Sequence, residues 1–571
     1  MLKQEIKTRI EKHLAAIGVA DVPVIIDYPA DPLHGDYSCN VALIAAKKLG
    51  KNPREFAIEL AESLRRAESG GQLFEKVEVA GPGFLNFWIK DEALAKISAD
   101  QEMSDIGKGK KVIVEYSSPN IAKPFTIGHL RSTIIGDAVA NLLEAIGYEV
   151  FRDNHVGDWG TQFGKQIYAI KTWGNEEVLD KSERPVKELV ALYVKFHDEA
   201  EKYPELEDEA RAWFKKLEDG DIEARRLWQK CIDWSWKEFD KIYQELGVSF
   251  TENHGRGYGE SFFEDKMGTV LEELTDKKLL EVGKEGAKIV NFPEETKTPP
   301  LMILKKDGAT LYATRDLATD KFRLEKYGQD ITIINEVGAE QNLYFQQLYT
   351  LEEMLGWFKK TQRVHVKHGL YRFKEGKMST RKGNVIWLED VLEEARLHAQ
   401  KLSEDSDTNN AEQISVGALK WNDLKRDSKQ DIAFDWDEIL NMQGNSGPYM
   451  QYSYVRTQSV LEKAKGDTSS VPTPKSLNSE ERELLRLLAR FGEIVEEAAN
   501  RYAPQVLSTY LFELAQAFNL FYQKSPILNP STSLRASAEE VRAFRLQLTD
   551  KTGAVLKEGL RLLGIQTPQH M

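Results

Sequence analysis

Two short segments carry residue types suited to handling phosphate. The first is Thr126-Ile-Gly-His129, which opens a stretch of helical periodicity. A helix N-terminus presents unpaired backbone N–H groups and the positive end of a dipole, so phosphate binds there. Gly128 lets a ligand approach the backbone closely, Thr126 offers a hydroxyl, and His129 can donate to a phosphate oxygen. Lys123, just upstream, adds a mobile cation. The second segment is Lys377-Met-Ser-Thr-Arg-Lys-Gly-Asn384, dense in cations for a glycine-bounded loop. Such a loop suits closing over a triphosphate, with Lys377, Arg381 and Lys382 neutralising the charge that develops during transfer. Met378 and Ser379 would touch the nucleotide. Neither GxxxxGK[ST] nor GxGxxG occurs, which removes the commonest rival nucleotide sites.

The elements around these segments must position them. Lys111–Tyr116 reads as a short apolar strand, followed by a polar loop to Pro124. Leu130, Ile134, Ile135, Ala138, Leu142 and Ile146 then recur at helical spacing, Gly147 ends that helix, and Tyr148–Arg152 reads as a second strand. This is the start of a Rossmann-type parallel sheet. Residues 165–260 are helical, charged and tryptophan-rich, and read as an insertion into the sheet domain. Strand character returns at Lys288–Phe292, Met302–Leu304, Thr310–Ala313, Ile331–Ile334 and Val364–His368. Residues 1–105 form an expected α+β domain, with helices at Ile6–Ile17, Asn40–Leu49 and Arg54–Arg66 and strands at Lys76–Val79 and Phe84–Trp88. The expected order is therefore 1–105, a catalytic domain at 106–385, a helical junction at 386–440 and a helical domain at 441–571.

The chain has 571 residues, too many for one core. No long apolar run occurs, and Glu5, Lys7 and Arg9 break any apolar stretch at the start. These features predict a cytoplasmic protein that does not engage a membrane. Cys39 and Cys231 cannot build a four-thiolate metal site, and no HExxH spacing appears, so no tightly bound metal is expected. The net charge of −14 disfavours indiscriminate RNA binding but leaves a local basic surface workable.

The two signatures, in this order, resemble the HIGH and KMSKS motifs of class I aminoacyl-tRNA synthetases. The surrounding text resembles the arginyl-tRNA synthetases: Ser117-Ser-Pro-Asn-Ile-Ala-Lys-Pro-Phe125, Asn154-His-Val-Gly-Asp-Trp-Gly-Thr-Gln-Phe-Gly164, Tyr312-Ala-Thr-Arg-Asp-Leu-Ala318 and Val337-Gly-Ala-Glu-Gln341. So do Asp31-Pro-Leu-His-Gly-Asp-Tyr37 near the start and Leu562-Leu-Gly-Ile565 near the end. The resemblance implies ATP-dependent ligation of L-arginine to tRNA(Arg) through an arginyl-adenylate. Mg²⁺ would arrive with ATP, and the chain would act as a monomer. It places the substrate side chain on Asp316 and Tyr312, with Glu115, Asn120 and Gln341 as further contacts. A planar guanidinium suits a carboxylate that accepts two parallel N–H bonds. Read without the family, Asp316 serves equally as a helix N-cap.

The resemblance also makes the N-terminal unit a tRNA-elbow domain and the C-terminal helices an anticodon-binding bundle. There Tyr449, Tyr452 and Arg456 could stack on unpaired bases, although tyrosines at helical spacing fit a core as well. Two positions depart from the family pattern. Thr126 replaces the usual first histidine, and Thr380 stands where the second signature usually has its catalytic lysine. Lys123 and Lys382 are the natural replacements. His155, Asp158, Trp159 and Gln162 match a family segment beside the active site without a defined role. Asn342-Leu-Tyr-Phe-Gln346 resembles part of a protease tag, but it continues a family-like segment and reads as native sequence. The rival readings are a class I enzyme for another amino acid, a non-catalytic RNA-binding relative and a small nucleotidylyltransferase. The last leaves the C-terminal helices without a purpose.

Overall fold

A computed structural model describes residues 1–19, 21–67, 73–100, 103–283, 286–373, 386–401, 408–465, 473–474, 476–529 and 535–571. The N-terminal unit carries an antiparallel sheet of β1 (Ile26–Asp27), β2 (Tyr37–Cys39), β3 (Phe74–Ala80) and β4 (Phe84–Ile89), in the order β1-β2-β4-β3. Helices Leu2–Ala16, Val41–Leu49 and Pro53–Ala67 accompany it. The turn-rich segment around residues 29–36 hides the two short strands β1 and β2, whose apolar alternation is too brief to read from sequence.

The catalytic unit is a parallel sheet of β5 (Lys111–Glu115), β6 (Glu149–Asp153), β10 (Thr332–Gly338) and β11 (Arg363–His368), in the order β11-β10-β5-β6. Both faces are covered, so β5 is a nearly continuous apolar run. Its side chains alternate between two cores: Val112 and Val114 enter one, Ile113 the other. The strand order reverses direction between β5 and β10, and ligands of open α/β sheets bind outside the carboxyl ends at such a point. β7 (Glu281–Val282), β8 (Lys288–Val290) and β9 (Leu301–Leu304) form a separate antiparallel sheet rather than extending the parallel one.

The expected strand at Thr310–Ala313 is absent. Thr310 makes only an isolated bridge to Leu304, and Tyr312 opens the helix Tyr312–Tyr327. Burial of Ala313, Leu317 and Ala318 against the second core overrides the local strand propensity. Leu311 is the N-cap of that helix, which removes the capping role from Asp316. Downstream of residue 385 the chain is mainly helical, except that β13 (Ile432–Phe434) pairs in parallel with β12 (Tyr371–Phe373).

The insertion supplies the helix Ile222–Leu246, capped by the Asp221 side chain and closed by Gly247 at φ 64°. The C-terminal bundle contains Gly447–Lys463, Ser479–Ala489, Phe491–Asn500, Pro504–Lys524 and Arg535–Leu562. A polar cluster docks the N-terminal unit on it. Arg482 grips Asp36 at 3.0 and 3.1 Å, and the hydroxyls of Tyr28 and Tyr37 donate to Glu493 at 2.8 and 3.1 Å. The family-like segment ending at Tyr37 therefore serves domain docking at its last two residues.

Candidate active site

The loop between β5 and the helix Ile127–Ala145 is held in a strained form. Ser117, Ser118 and Ala122 have φ of 74°, 46° and 57°, a region costly for residues with a Cβ. Surrounding side chains over-determine it. The Ser117 N–H donates to Ser132 Oγ at 2.9 Å, Ser118 N–H to Asn154 Oδ1 at 3.0 Å and Ala122 N–H to Ser235 Oγ at 2.9 Å. Tyr243 lies 2.8 Å from Ser117 Oγ, so the insertion helix supports this loop directly. Gly157 is needed opposite: a Cβ there would lie 2.3 Å from Asn120 Oδ1.

At the helix N-terminus, the Thr126 N–H donates to His129 Nδ1 at 2.9 Å. Nδ1 therefore carries no proton, and the proton of the neutral ring sits on Nε2, available as a donor. Burial, aided by the nearby His368, lowers the His129 pKa to about 4, so the ring is neutral at pH 7. Lys123 is exposed beside it. Arg131, two residues on, is fully buried and pairs with Asp423 at 3.0 Å. Asp423 also accepts from the Tyr371 hydroxyl at 2.8 Å, tying this helix to β12.

Lys377, Met378, Ser379, Arg381 and Lys382 lie outside the described residues. The described residues after them reach the first signature: Ile127 N–H donates to the Ile386 carbonyl at 3.2 Å, and Leu388 N–H to the Phe125 carbonyl at 2.9 Å.

Beyond the carboxyl ends of β5 and β10 lies a cavity of about 290 Å³. Glu115, Asn120, Tyr312, Asp316 and Gln341 all line it, together with His155, Glu260, Asp320, Arg323 and Tyr344. The Tyr344 hydroxyl donates to Asp316 Oδ2. Burial lifts the Asp316 carboxyl to about 6, against the pull of His155 and the Tyr344 hydrogen bond. Tyr312 stands 57% exposed at the rim, its ring edge-on to Tyr344 at 4.7 Å.

The floor is an ionic network. Arg323, 3% exposed, donates to Glu115, to Asp153 at 2.8 Å and to Asp320 at 3.0 Å. Arg363 joins Asp320 at 2.6 Å to Glu352 at 2.7 Å. Burial would raise the Glu115 pKa, but the Arg323 guanidinium and His155 together outweigh it and keep the carboxyl below its ordinary value. Asn335 Nδ2 donates to the other Glu115 oxygen at 2.9 Å. The cavity is thus lined by carboxylates held in fixed positions. Sequence reading missed Arg323, Asp320 and Tyr344. A signal existed, since Asp316, Asp320 and Arg323 share one helix face at i, i+4 and i+7.

In the C-terminal bundle, Tyr449 is committed inward: its hydroxyl accepts from Asn519 at 2.8 Å and its ring packs on Phe512. Arg456 donates to Asn519 and, at 3.0 Å, to the Tyr452 hydroxyl. The guanidinium lies over the rings of Tyr452 and the 42%-exposed Tyr522, at 4.8 and 5.2 Å.

The parallel sheet, its helix-borne first signature and the cavity at the switch point define a class I aminoacyl-tRNA synthetase catalytic domain. The family model "tRNA synthetases class I (R), catalytic domain" matches residues 93–436. "Arginyl tRNA synthetase N terminal domain" matches 3–89, and "DALR anticodon binding domain" matches 450–571. The chain is 42% identical over 559 residues to an arginine--tRNA ligase of Fusobacterium nucleatum, covering 95% of this chain and 94% of that protein. It is 42% identical over 587 residues to one of Clostridium perfringens, covering all of both. The crystal structure of arginyl-tRNA synthetase from Plasmodium falciparum superposes with a TM-score of 0.81 at 25% identity, covering 100% of this chain and 99% of that one. The chain belongs to the arginyl-tRNA synthetase family.

Proposed function

We infer that this chain activates L-arginine with ATP and transfers it to tRNA(Arg), releasing AMP and pyrophosphate. One observation carries the choice of substrate: the five residues expected to hold arginine line a single acceptor-rich cavity beside the first-signature helix. The guanidinium spans the Asp316 carboxylate with two N–H bonds, and Tyr312 closes over it from the rim. Glu115, Asn120 and Gln341 complete the contacts. A lysine ammonium cannot span both carboxylate oxygens, and a pocket built on hydrogen bonds rejects such an analogue by on the order of 10⁴-fold.

The α-carboxylate of arginine attacks the α-phosphate in line, and the protein positions the reactants and stabilises charge. Thr126 and Gly128 bring the helix N-terminus to the phosphates. The His129 Nε2–H donates to a phosphate oxygen, and Lys123 supplies a cation. Lys377, Arg381 and Lys382 act on the leaving pyrophosphate, with Met378 and Ser379 against the nucleotide. ATP enters as its Mg²⁺ complex. The terminal ribose hydroxyl of the tRNA then attacks the adenylate. Tyr452, Arg456 and Tyr522 form a stacking surface for unpaired anticodon bases, and Tyr449 holds the helix pair that presents it. The N-terminal unit meets the tRNA elbow.

No described helix is long and apolar enough to cross a membrane. On this reading the chain works in the cytoplasm as a monomer.

Arginine-dependent ATP–pyrophosphate exchange, run with and without tRNA(Arg), tests the reading. Exchange is expected when the tRNA is present and absent when lysine replaces arginine. No exchange under either condition overturns it.

A further inference from the structure

One ring in the cavity is used by neither the signatures nor the reaction just described. His155 sits on the loop after β6, its side chain 13% exposed. Its Nδ1 lies 3.0 Å from the Tyr258 carbonyl. A carbonyl only accepts, so Nδ1 carries a proton. Nε2 is then either the second N–H of an imidazolium or the lone pair of a neutral ring. It is buried without a hydrogen-bond partner and lies 3.8 Å from Asp316 Oδ1. A lone pair facing a carboxylate in a site shielded from water is repelled, and a proton there is attracted.

Charged groups face this ring from every element around it. Glu115 comes from the end of β5, and Glu260 from the turn Glu260–Phe263. Asp316, Asp320 and Arg323 come from the helix Tyr312–Tyr327, and Asp158 from the ring's own loop. Arg315 balances Glu260 from behind at 3.5 Å. Tyr344 reaches Asp316 through its hydroxyl. Burial works to strip the proton from His155, but Glu115, Asp316 and Glu260 outweigh burial and Arg323 together and hold the ring above its ordinary value.

We propose that the His155 imidazolium is the cation that faces Asp316 in the free pocket, and that arginine binding expels its Nε2 proton to solvent and leaves Nε2 to accept an N–H from the guanidinium. This rests on the assignment of the cavity to arginine. A guanidinium stays protonated throughout the working range. Two cations cannot share the space before Asp316, so the imidazole, which holds its proton far more weakly, gives it up. The N–H bond of the imidazolium breaks, its electron pair stays on Nε2, and the proton goes to bulk water. The pocket exchanges one positive charge for another, and the specificity site gains a neutral acceptor beside the carboxylate.

The sign of the pH dependence follows. Arginine competes with a proton, so its affinity falls as pH drops below the His155 value, by about tenfold per unit, and levels off above it. Asp316 titrates near 6 and is already ionised at pH 7. The His155→Gln variant separates the proton of His155 from any that Asp316 gives up.

The experiment is calorimetric titration of L-arginine into the full chain at pH 7 and pH 8, each in two buffers of different ionisation enthalpy. Net proton release is expected at pH 7 and less of it at pH 8. His155→Gln should still bind arginine, with proton release near zero and a flat Kd over this range. Nitrogen NMR of ¹⁵N-histidine-labelled wild-type protein gives a reading that needs no variant. The His155 signal should move from imidazolium to neutral ring when arginine is added. Arginine binding without proton release at pH 7, or release unchanged in the variant, overturns the proposal. Absence of arginine binding at either pH overturns the assignment of the cavity itself.

Discussion

The floor of the cavity and the aromatic face of the C-terminal bundle each centre on one arginine, in opposite settings. Arg323 is buried among three carboxylates, Glu115, Asp153 and Asp320. Arg456 has an amide and a tyrosine hydroxyl as partners and lies over the rings of Tyr452 and the half-exposed Tyr522. Under the proposed function, the difference follows from what each region recognises. Selecting one small cation from similar ones requires acceptors that cannot move, and a buried ionic network locks Glu115 and Asp320 in place. Meeting unpaired bases requires open flat surfaces, because stacking tolerates any base and needs no fixed donor pattern.

Three substitutions probe that contrast, beginning with the largest expected effect. Arg323→Met leaves three buried carboxylates without their shared cation and should cost about 3–5 kcal/mol of stability, read as a drop in the urea midpoint. A midpoint near wild type would mean the network does not hold the floor. Asp316→Asn should lower kcat/KM for arginine by at least ~100-fold, about 2.7 kcal/mol, while the urea midpoint moves little. Near-normal kinetics would remove Asp316 from substrate recognition. Tyr452→Ala should raise the KM for tRNA about tenfold, roughly 1.4 kcal/mol, within the worth of one stacked base. The KM for arginine and the stability should stay unchanged in that variant. If Tyr452→Ala unfolds the bundle instead, the ring is core and the comparison collapses.

Much of the first signature was legible because its signals are local. The apolar run of β5, the periodic stretch from Leu130 and the small residue at Gly128 all report on neighbours within a few positions. The aspartate at 316 was found through its flanking motif, yet its setting was misjudged. Thr310–Ala313 has the composition of a strand, and only packing against the second core makes Tyr312 the start of a helix. Tyr344 lay inside a segment that resembles a protease tag, with nothing local to mark it, but its hydroxyl holds Asp316 in position. Arg323 and Asp320 were missed although they share a helix face with Asp316, because burial is a property of what packs above them.

The sequence by itself determined the local devices: a strand leading into a polar loop, a helix N-terminus bearing Thr126 and His129, and a cation-rich second signature. It also determined the family, since those devices recur with long flanking motifs in a set order. Only the tertiary structure decided which charges meet. Placing β5 between β10 and β6 brings Glu115 against Arg323, about 200 residues away in the chain. The same arrangement brings His155 to within 3.8 Å of Asp316. Periodicity carries no information about such pairings, because strand order is set by the burial of two cores at once. The charge state of the pocket follows from that packing, whereas the tautomer of His129 is set locally by the Thr126 N–H.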